Sequence, residues 1–494
     1  MILIRADVNE LIGTGHVMRC LSIASAIVRR GVEVLFITAD HKGDTLLRQN
    51  GFNSVCLDTD WTDLDQELPL LLEMIKSKKP SLLLIDSYYV TEKYFNELSK
   101  VITTAYMDDL YKARWNTDIL INYNIYSSVF DYSIYSGNRL LLGSLYAPLR
   151  EEFKGLPEHS AGMVQNILVS AGGADPERIT ERLISEICPV WPDIHFHFVV
   201  GAFNPRIDKI REMERNNIIL HINEKHMSAL MKDCDIAISA AGTTLYELCA
   251  AGIPTITFTL ADNQLVASEQ FSRKGLMLSA GDCRGNKSFF ASIKSLLIEL
   301  IPDAEKRRTL SKKMQQLVDG KGTDRIAANL IVRLKPAEEK DFEDYYEVKC
   351  GQSEILWMGY DGIPARDMME RVFHSRLGSC RFERPGDKRI FMIQADGKNV
   401  GMIQFSLSEE GLEFGLSVKE SEQRKGYASV GMQQAVEIAR AYSDHLFVHI
   451  RDDNTGSIRA CMSAGLKPTD DVELKEFHKA GLVPYRKYEK FVDQ

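Results

Sequence analysis

The chain has 494 residues, of which 45% are hydrophobic and 26% are charged, and its formal net charge is −9. A prior of about 100 to 200 residues per domain predicts roughly three domains. The negative charge argues against a nucleic-acid surface, which needs clustered lysine and arginine. No apolar run reaches the roughly 20 residues that span a bilayer, and the first residues lack a secretory signal pattern. We therefore expect a cytoplasmic protein without membrane or nucleic-acid partners.

The first 155 residues alternate short apolar strands with amphipathic helices, which predicts βαβ units and a mainly parallel sheet. Strands are predicted at residues 2–4, 32–38, 81–86 and 103–107. Polar runs follow the strands at residues 86–89, 108–109 and 122–124. In such sheets the ligand lies outside the carboxyl ends of the strands, so these runs are candidate site segments.

The same alternation returns in residues 156–330, with strands predicted at 166–170, 195–200, 218–221, 235–239 and 255–258. The segment 148–162 is the expected hinge between two similar α/β domains. Residues 331–494 form the third predicted domain, of α+β type. A short strand at 331–334 is broken by Pro336, and a charged helix of about 12 residues follows. Three antiparallel strands are predicted at 389–394, 399–406 and 412–418, with hairpin turns at Asp396-Gly397 and Glu410-Gly411.

Cysteine usage gives no sign of a metal or of a disulfide framework. The nine cysteines are scattered singly without a C-x-x-C pair, and their number is odd. His195 and His197 alternate with phenylalanines in a predicted core strand, which favours a packing role over metal binding. We expect no metal.

The first motif is a strand, a glycine-rich loop and a helix that begins at His16. Gly13 and Gly15 allow the backbone to approach a ligand closely, and the helix N-terminus carries partial positive charge. This geometry suits an anion or an activated water beside His16. On the residues alone, a capped helix with a solvated histidine explains the pattern equally well.

The run Arg5-Ala6-Asp7, followed by Ile12-Gly13-Thr14-Gly15-His16, resembles the start of the UDP-sugar hydrolases of pseudaminic acid synthesis. Segments 85–90, 107–109, 121–124 and 146–153 also look like that family, and the resemblance covers residues 1–330. It implies that the substrate is UDP-2,4-diacetamido-2,4,6-trideoxy-β-L-altropyranose, hydrolysed without a metal to the free sugar and UDP. It also implies that His16 is the base that activates water, with Asp7 as a second catalytic residue. The residues implied to bind substrate are Arg5, Gly13, Gly15 and Tyr88.

The second motif is another strand, tight turn and helix, in the predicted second domain. Gly242, Thr243 and Thr244 would present backbone N–H groups to a diphosphate, and Glu247 would accept hydrogen bonds from ribose. The alternative is an ordinary β-turn-α crossover. The run is similar to the nucleotide-binding half of the UDP-sugar transferases that include the lipid II-forming N-acetylglucosamine transferase, which implies two Rossmann-like domains in a glycosyltransferase-B arrangement. The remaining residues implied to line this cleft are Asn263 and Gln264, facing the sugar, and Gly172 and Gly173.

The third motif, Q-x-x-G-x-A at residues 423–428, resembles the pyrophosphate loop of the GCN5-related N-acetyltransferases (GNAT). The resemblance covers about residues 331–490 and implies acetyl-CoA as cosubstrate. The residues implied to hold it are Val418, Arg424, Lys425, Gly426, Tyr427, Ala428 and Asn454. Glu413 is the candidate base. The family's usual tyrosine acid is replaced by Cys461, and the thiol, Tyr485 or Tyr488 are the alternatives for that role.

Together these motifs predict a bifunctional α/β enzyme with a C-terminal α+β GNAT domain. The GNAT domain would acetylate the 4-amino group of a UDP-linked diamino sugar, and the two preceding domains would hydrolyse the product. Two alternatives stay open: a UDP-sugar glycosyltransferase of the same fold, and a GNAT-like domain that binds without catalysis.

Overall fold

The computed structural model describes residues 1–9, 13–135, 138–159, 162–173, 175–201, 204–377, 382, 384–439, 441–477 and 481–491. Ile12, which belongs to the first motif above, lies outside these ranges. By internal contacts the chain divides into two compact units. The larger unit is Ile2–Ser25 with Val34–Thr323, and the smaller is Met1 and Ala26–Glu33 with Asp324–Gln494.

The first sheet of the larger unit is parallel, with strand order β3-β2-β1-β4-β5-β6-β7. Its strands are β1 (Ile2–Ala6), β2 (Val34–Thr38), β3 (Ser54–Cys56), β4 (Leu82–Asp86), β5 (Thr104–Met107), β6 (Ile119–Asn122) and β7 (Arg139–Leu142). Its helices are α1 (Gly15–Val28), α2 (Asp44–Gln49), α3 (Leu68–Lys78) and α4 (Glu92–Leu98). The strand order reverses between β1 and β4, because β2 and β3 lie on one side of β1 and β4 to β7 lie on the other. Such folds bind ligands at this point.

The second sheet is also parallel, with order β10-β9-β8-β11-β12-β13. Its strands are β8 (Asn166–Ser170), β9 (His195–Val200), β10 (Ile218–Ile222), β11 (Ile236–Ala240), β12 (Thr255–Thr259) and β13 (Leu278–Asp282). The helices are α5 (Ile179–Glu186), α6 (Ile207–Arg211), α7 (Met227–Lys232), α8 (Thr244–Ala251), α9 (Asp262–Arg273), α10 (Phe289–Leu300), α11 (Ala304–Leu317) and α12 (Gly322–Ile331). The equivalent reversal lies between β8 and β11.

The expected hinge is held by close backbone packing. A side chain on Gly320 would lie 2.1 Å from the carbonyl oxygen of Phe153, so only glycine fits there. Thr323 Oγ1 donates to the carbonyl of Leu149 at 2.5 Å. The segment 149–153, which leads from the first sheet to the second, therefore packs directly against residues 320–323.

The smaller unit contains a mixed seven-stranded sheet of order β14-β15-β16-β17-β18-β20-β19. Its strands are β14 (Val332–Pro336), β15 (Lys388–Ala395), β16 (Lys398–Leu407), β17 (Leu412–Val418), β18 (His445–Arg451), β19 (Lys467–Phe477) and β20 (Gly481–Phe491). Its helices are α13 (Phe342–Cys350), α14 (Gln352–Met358), α15 (Arg366–His374), α16 (Tyr427–Ala439) and α17 (Thr455–Ser463). The predicted antiparallel meander is confirmed by the pairing of β15, β16 and β17.

Two details of this sheet differ from the sequence predictions. Pro336 ends β14 within the strand, paired with Phe391, instead of breaking it earlier. An edge strand tolerates proline because one side of it needs no donor. The predicted 12-residue helix is a 3-10 turn, Glu339–Asp341, followed by the nine residues of α13.

Candidate active sites

His16 contacts Asp86 at the point where the strand order of the first sheet reverses. His16 lies in the first turn of α1, which follows β1, and Asp86 is the last residue of β4. Because β1 and β4 are neighbours, their carboxyl ends bring the two side chains together. His16 Nδ1 lies 2.5 Å from Asp86 Oδ1, and both side chains are buried.

Arg19 neutralises Asp86 from the next turn of α1. Its Nε donates to Oδ2 and its Nη2 to Oδ1, both at 2.6 Å. Burial opposes ionisation of Asp86, but the charge of Arg19 and the hydrogen bonds from Arg19 and His16 outweigh it and hold the pKa of Asp86 well below its usual range. An ionised carboxylate at Nδ1 favours the tautomer with the proton on Nδ1, which leaves Nε2 as a free base.

Tyr88 and Asp109 complete the polar cluster around His16. The Tyr88 hydroxyl donates to Asp109 Oδ2 at 3.1 Å, and Arg19 Nη1 donates to the same oxygen at 2.7 Å. The rings of His16 and Tyr88 meet edge to face with centroids 4.5 Å apart. Burial raises the pKa of Tyr88 above its usual value, so Tyr88 is a hydrogen-bond donor here and not a base.

Arg5 and Asp7 lie in a different environment from the one predicted. Arg5 is fully buried, and its Nε donates to both oxygens of Glu67, at 2.8 and 2.9 Å. Asp7 Oδ2 accepts from Arg5 at 2.5 Å, and Asp7 Oδ1 accepts from the backbone N–H of Ala39 at 2.8 Å. Both carboxylate oxygens of Asp7 are thus occupied. The pair thus supports the end of β1, and the roles predicted for Arg5 in substrate binding and for Asp7 in catalysis stay predictions.

The glycine loop before His16 leaves open space on one side. Gly13 has a φ of +69°, which favours glycine, and a Cβ placed on Gly13 or Gly15 would meet nothing within 4 Å. A ligand at Gly13 or Gly15 would therefore be able to approach the backbone of these two residues closely.

The predicted diphosphate loop lies at the reversal point of the second sheet. Gly242 and Thr243 follow β11, and α8 begins at Thr244. Gly172 and Gly173 follow the adjacent β8, so both loops leave the same edge of the sheet. A Cβ on Gly242, Gly172 or Gly173 would meet nothing within 4 Å. The two loops thus offer exposed backbone on one side, as the phosphate prediction requires.

Two of the three side chains predicted to hold ribose and sugar already have partners. Glu247 Oε1 accepts from Arg150 Nη2 at 3.0 Å. Burial raises the pKa of Glu247, although Arg150 opposes the shift. Gln264 Oε1 accepts from the backbone N–H of Leu260 at 2.8 Å, while Asn263 is exposed at the start of α9. A nucleotide would have to share Glu247 with Arg150.

Tyr246 connects the two parallel sheets beside these sites. Its hydroxyl accepts from the backbone N–H of Ile125 at 3.0 Å and donates to Asn124 Oδ1 at 3.3 Å. Asn124 Nδ2 in turn donates to Asp109 Oδ1 at 3.1 Å. One chain of hydrogen bonds therefore joins the His16 cluster to α8, the helix that carries Glu247.

The mixed sheet of the smaller unit opens between two central strands. β17 and β18 are parallel but pair only at Leu412–Leu446 and Glu413–Phe447. Beyond these pairs β17 and β18 are not paired, and near the end of β17 the carbonyl of Val418 accepts from Gln423 Nε2 at 3.3 Å. The following loop contains Arg424, with a φ of +63°, and Gly426, with a φ of +85°. Its helix, α16, begins at Tyr427. A split strand pair beside a helix N-terminus can accept an extended arm carrying a pyrophosphate.

Glu413 lies where the strands begin to separate. Its Oε1 is 3.0 Å from His449 Nδ1. Two residues further on the same face of β17, Gly415 is exposed in the middle of the sheet, and a Cβ there would meet nothing within 4 Å. Ser417, next on this face, donates to Glu354 Oε2 at 2.6 Å, and Lys349 donates to Glu354 Oε1 at 2.5 Å. The face over Gly415 is therefore open and bordered by carboxylates at both ends.

Three further residues with predicted roles in this unit are Asn454, Cys461 and Tyr485. Asn454 caps α17, with its side-chain oxygen accepting from Ser457 N–H at 3.1 Å. Cys461 is fully buried, and burial raises the pKa of its thiol to about 12. The hydroxyl of Tyr485 donates to the carbonyl of Trp357 at 2.6 Å. A thiol that is buried and hard to ionise is a poor proton donor to a leaving thiolate, which disfavours Cys461 in that role.

Two of the residues that organise these sites had no assigned role at the sequence level. Asp86 and Asn124 stood in the polar runs after β4 and β6, and strand-end position was the only signal available. Their partners, His16 and Tyr246, are more than 60 residues away in the chain. The contacts become visible only once strand order is known.

The structure thus combines two Rossmann-like domains in a glycosyltransferase-B arrangement with a C-terminal GNAT domain. Residues 332–467 match the family model described as "Acetyltransferase (GNAT) domain". The crystal structure of MurG from Acinetobacter baumannii covers 67% of this chain and 98% of that chain, with a TM-score of 0.50 and 14% identity. That similarity shows the fold of the larger unit alone.

Among curated proteins, the spore coat polysaccharide biosynthesis protein SpsG of Bacillus subtilis is 27% identical over 343 residues, which are 64% of this chain and 94% of that protein. A protein of Helicobacter pylori is 25% identical over 268 residues, 53% of this chain and 45% of that protein. It is named pseudaminic acid cytidylyltransferase and UDP-2,4-diacetamido-2,4,6-trideoxy-beta-L-altropyranose hydrolase. These comparisons confirm the three predicted resemblances: to the UDP-sugar hydrolases of pseudaminic acid synthesis, to the fold of the UDP-sugar transferases and to the GNAT acetyltransferases. Among the described residues, no helix is long and apolar enough to cross a membrane.

Proposed function

We propose that the larger unit hydrolyses UDP-2,4-diacetamido-2,4,6-trideoxy-β-L-altropyranose to the free sugar and UDP. The observation that carries the proposal is the 2.5 Å contact between His16 Nδ1 and the ionised Asp86. It leaves His16 Nε2 free to take a proton from water as the water oxygen bonds to C1 of the sugar. The bond from C1 to the UDP oxygen then breaks, with inversion at C1.

The leaving UDP would lie against the loops at Gly242 and Gly172. The N–H groups of Thr243 and Thr244, together with the dipole of α8, would favour the charge that develops on the diphosphate. The hydrogen-bond chain through Tyr246 and Asn124 supports a sugar held between this site and His16. Tyr88 would donate to the sugar from the side of His16.

Release of UDP without an acceptor alcohol tests this proposal. The whole chain and the UDP-sugar are incubated alone, and UDP and free sugar are measured. We expect equal amounts of both products, and a loss of turnover in His16→Ala but not in His195→Ala, which removes an exposed histidine of β9. A UDP-sugar that stays intact until an acceptor is added would instead favour the glycosyltransferase alternative.

We further propose that the smaller unit transfers acetyl from acetyl-CoA to the 4-amino group of the UDP-linked precursor, so that the two reactions are consecutive. Acetyl-CoA would enter between β17 and β18, with its pyrophosphate on the loop from Arg424 to Ala428. The amine nitrogen bonds to the acetyl carbon, the C–S bond breaks, and the coenzyme A thiolate leaves. Glu413, oriented by His449, would take the amine proton through water.

The acetylation proposal rests on the open face over Gly415, and its test uses the whole chain. Acetyl-CoA and a UDP-4-amino sugar are supplied, and the sugar is weighed by mass spectrometry. We expect the gain of one acetyl group, a large rate loss in Glu413→Gln, and no loss in Glu473→Gln, a change on the exposed strand β19. No mass gain with the native chain would favour a GNAT-like domain that only binds.

A further inference from the structure

Three possible metal ligands converge at the carboxyl edge of the first sheet. His41 lies in the 3-10 turn His41–Gly43 after β2, Cys56 ends β3, and Asp58 follows two residues later. Because Thr38 of β2 pairs with Cys56 of β3, the two parallel strands end side by side. We call His41, Cys56 and Asp58 the His41 cluster. It shares no residue with the His16 site.

The spacing of the His41 cluster matches a tetrahedral metal centre. His41 Nε2 lies 3.6 Å from Asp58 Oδ1, and Cys56 Sγ lies 3.3 Å from the same oxygen. All three ligand atoms are within 4.8 Å of one another. Zinc bonds of about 2.0–2.1 Å to nitrogen or oxygen and about 2.3 Å to sulfur give tetrahedral edges of about 3.3–3.6 Å. The cluster therefore needs little rearrangement to close around an ion.

A carboxylate already orients the histidine. His41 Nδ1 lies 2.8 Å from Asp44 Oδ2, and the other oxygen of Asp44 accepts from Ser54 Oγ at 3.0 Å. This leaves Nε2 directed at Cys56 and Asp58. Metal-ligating histidines commonly present their second nitrogen to a carboxylate, which fixes the ring and makes the ligand nitrogen more basic.

We propose that the His41 cluster is a zinc site, with Nε2 of His41, the thiolate of Cys56 and the carboxylate of Asp58 as ligands. A thiolate with an imidazole suits zinc and disfavours magnesium and calcium, which prefer oxygen ligands. The side chains of His41 and Asp58 are 69% and 79% exposed, so the ion exchanges with solvent and water takes the fourth position. Binding displaces the proton of the Cys56 thiol.

Zinc at this site would stiffen the edge of the sheet beside β1. Cys56 Sγ contacts the carbonyl of Ala39 at 3.5 Å, and the N–H of Ala39 donates to Asp7. An ion held by residues 41, 56 and 58 ties the loop after β2 to the end of β3. We therefore expect zinc to raise the melting temperature of the whole chain.

The test uses the full chain, freed of metal by a chelator and then titrated with cobalt(II) and with zinc. We expect one equivalent of cobalt to bind with the absorption band of a cobalt–thiolate bond, and zinc to displace it. Cys56→Ser should abolish the band, and His41→Ala should weaken zinc binding and remove its effect on melting. Asp44→Asn should weaken binding about 10- to 100-fold, as loss of an orienting partner does.

Cys350→Ser is the matched control, because it removes the other half-buried cysteine of the described residues. It should bind cobalt with the native spectrum. Absence of saturable uptake by the native chain, or a band that persists in Cys56→Ser, would overturn the proposal. These measurements do not depend on sugar hydrolysis, so the zinc site and the proposed function are tested separately.

Discussion

Replacing Asp86 with asparagine perturbs the central contact of the proposed hydrolase. Asp86 Oδ1 lies 2.5 Å from His16 Nδ1 and accepts from Arg19 Nη2, while Oδ2 accepts from Arg19 Nε. An asparagine keeps the shape but puts an NH2 group at one of these two positions, where it faces an N–H of Arg19. With the NH2 group toward His16, Nδ1 must accept a hydrogen bond and the ring proton moves to Nε2. The free base is then lost.

The size of the effect follows from these contacts. Removing the carboxylate that fixes a catalytic histidine can lower kcat by about 10⁴. One of the two amide orientations keeps the useful tautomer, so we expect a fall of about 10³ to 10⁴. At about 1.4 kcal/mol for each tenfold, this is about 4 to 5.5 kcal/mol in the barrier. Arg19 retains Asp109 at 2.7 Å and Tyr123 at 3.0 Å. The stability loss should therefore stay near 1 to 3 kcal/mol.

The assay measures UDP release under saturating substrate, beside a urea unfolding curve for each variant. Asp86→Asn, His16→Ala and the double variant should show similar turnover, because residues that act as a unit are non-additive. An Asp86→Asn protein that stays folded and turns over within threefold of the native rate would refute the reasoning. So would a double variant whose loss is the product of the two single losses.

Three further changes test other parts of the account. Gly242→Val fills the open side of the predicted diphosphate loop, so KM for the UDP-sugar should rise about tenfold or more, which is a loss of at least about 1.4 kcal/mol in binding. The melting temperature should stay unchanged. An unaltered KM would mean that the nucleotide binds elsewhere. Gly415→Leu places a side chain on the open face over Gly415, so it should block acetyl transfer, measured as coenzyme A release, but leave hydrolysis of an acetylated substrate unchanged. Normal transfer would argue against an acceptor bound over the face at Gly415. Arg5→Met leaves Glu67 and Asp7 as buried charges without their partner, so urea unfolding should show a free energy of unfolding lower by about 3 to 5 kcal/mol. A stable protein with weak substrate binding would instead indicate that Arg5 contacts the substrate directly.

Local patterns predicted much of the fold. Apolar runs bounded by turns marked the strands, and β17 was predicted with the bounds Leu412–Val418 that the structure has. The turn at Asp396-Gly397 has φ values of +47° and +77°, which is the conformation that this dipeptide favours between strands. These features are set by neighbours in sequence, so they can be read from it.

Burial of charge could not be read in the same way. Arg5 and Asp7 alternate at the end of β1 as ligand-facing residues do, but Glu67, the partner of Arg5, comes from a 3-10 turn 62 residues beyond Arg5. Only the folded sheet places that carboxylate beside Arg5. The pairing of His16 with Asp86, 70 residues apart, depends on the same long-range order.

The expectation of no metal rested on short sequence motifs and did not consider ligands from separate strands. The His41 cluster forms no short zinc motif, so the spacing of cysteines along the sequence does not identify it. The proximity of its residues follows from the pairing of β2 with β3. The roles proposed for Cys461 and Asn454 had a related weakness, because a motif position does not reveal whether a side chain is buried or already bonded.

Hydrolysis in water labelled with oxygen-18 tests the central claim most directly. The whole chain is incubated with the UDP-sugar and no acceptor, and both products are weighed. Attack by water on C1, with His16 as base, predicts one labelled oxygen in the free sugar and none in UDP. Label in UDP would mean attack at phosphorus and would contradict the mechanism.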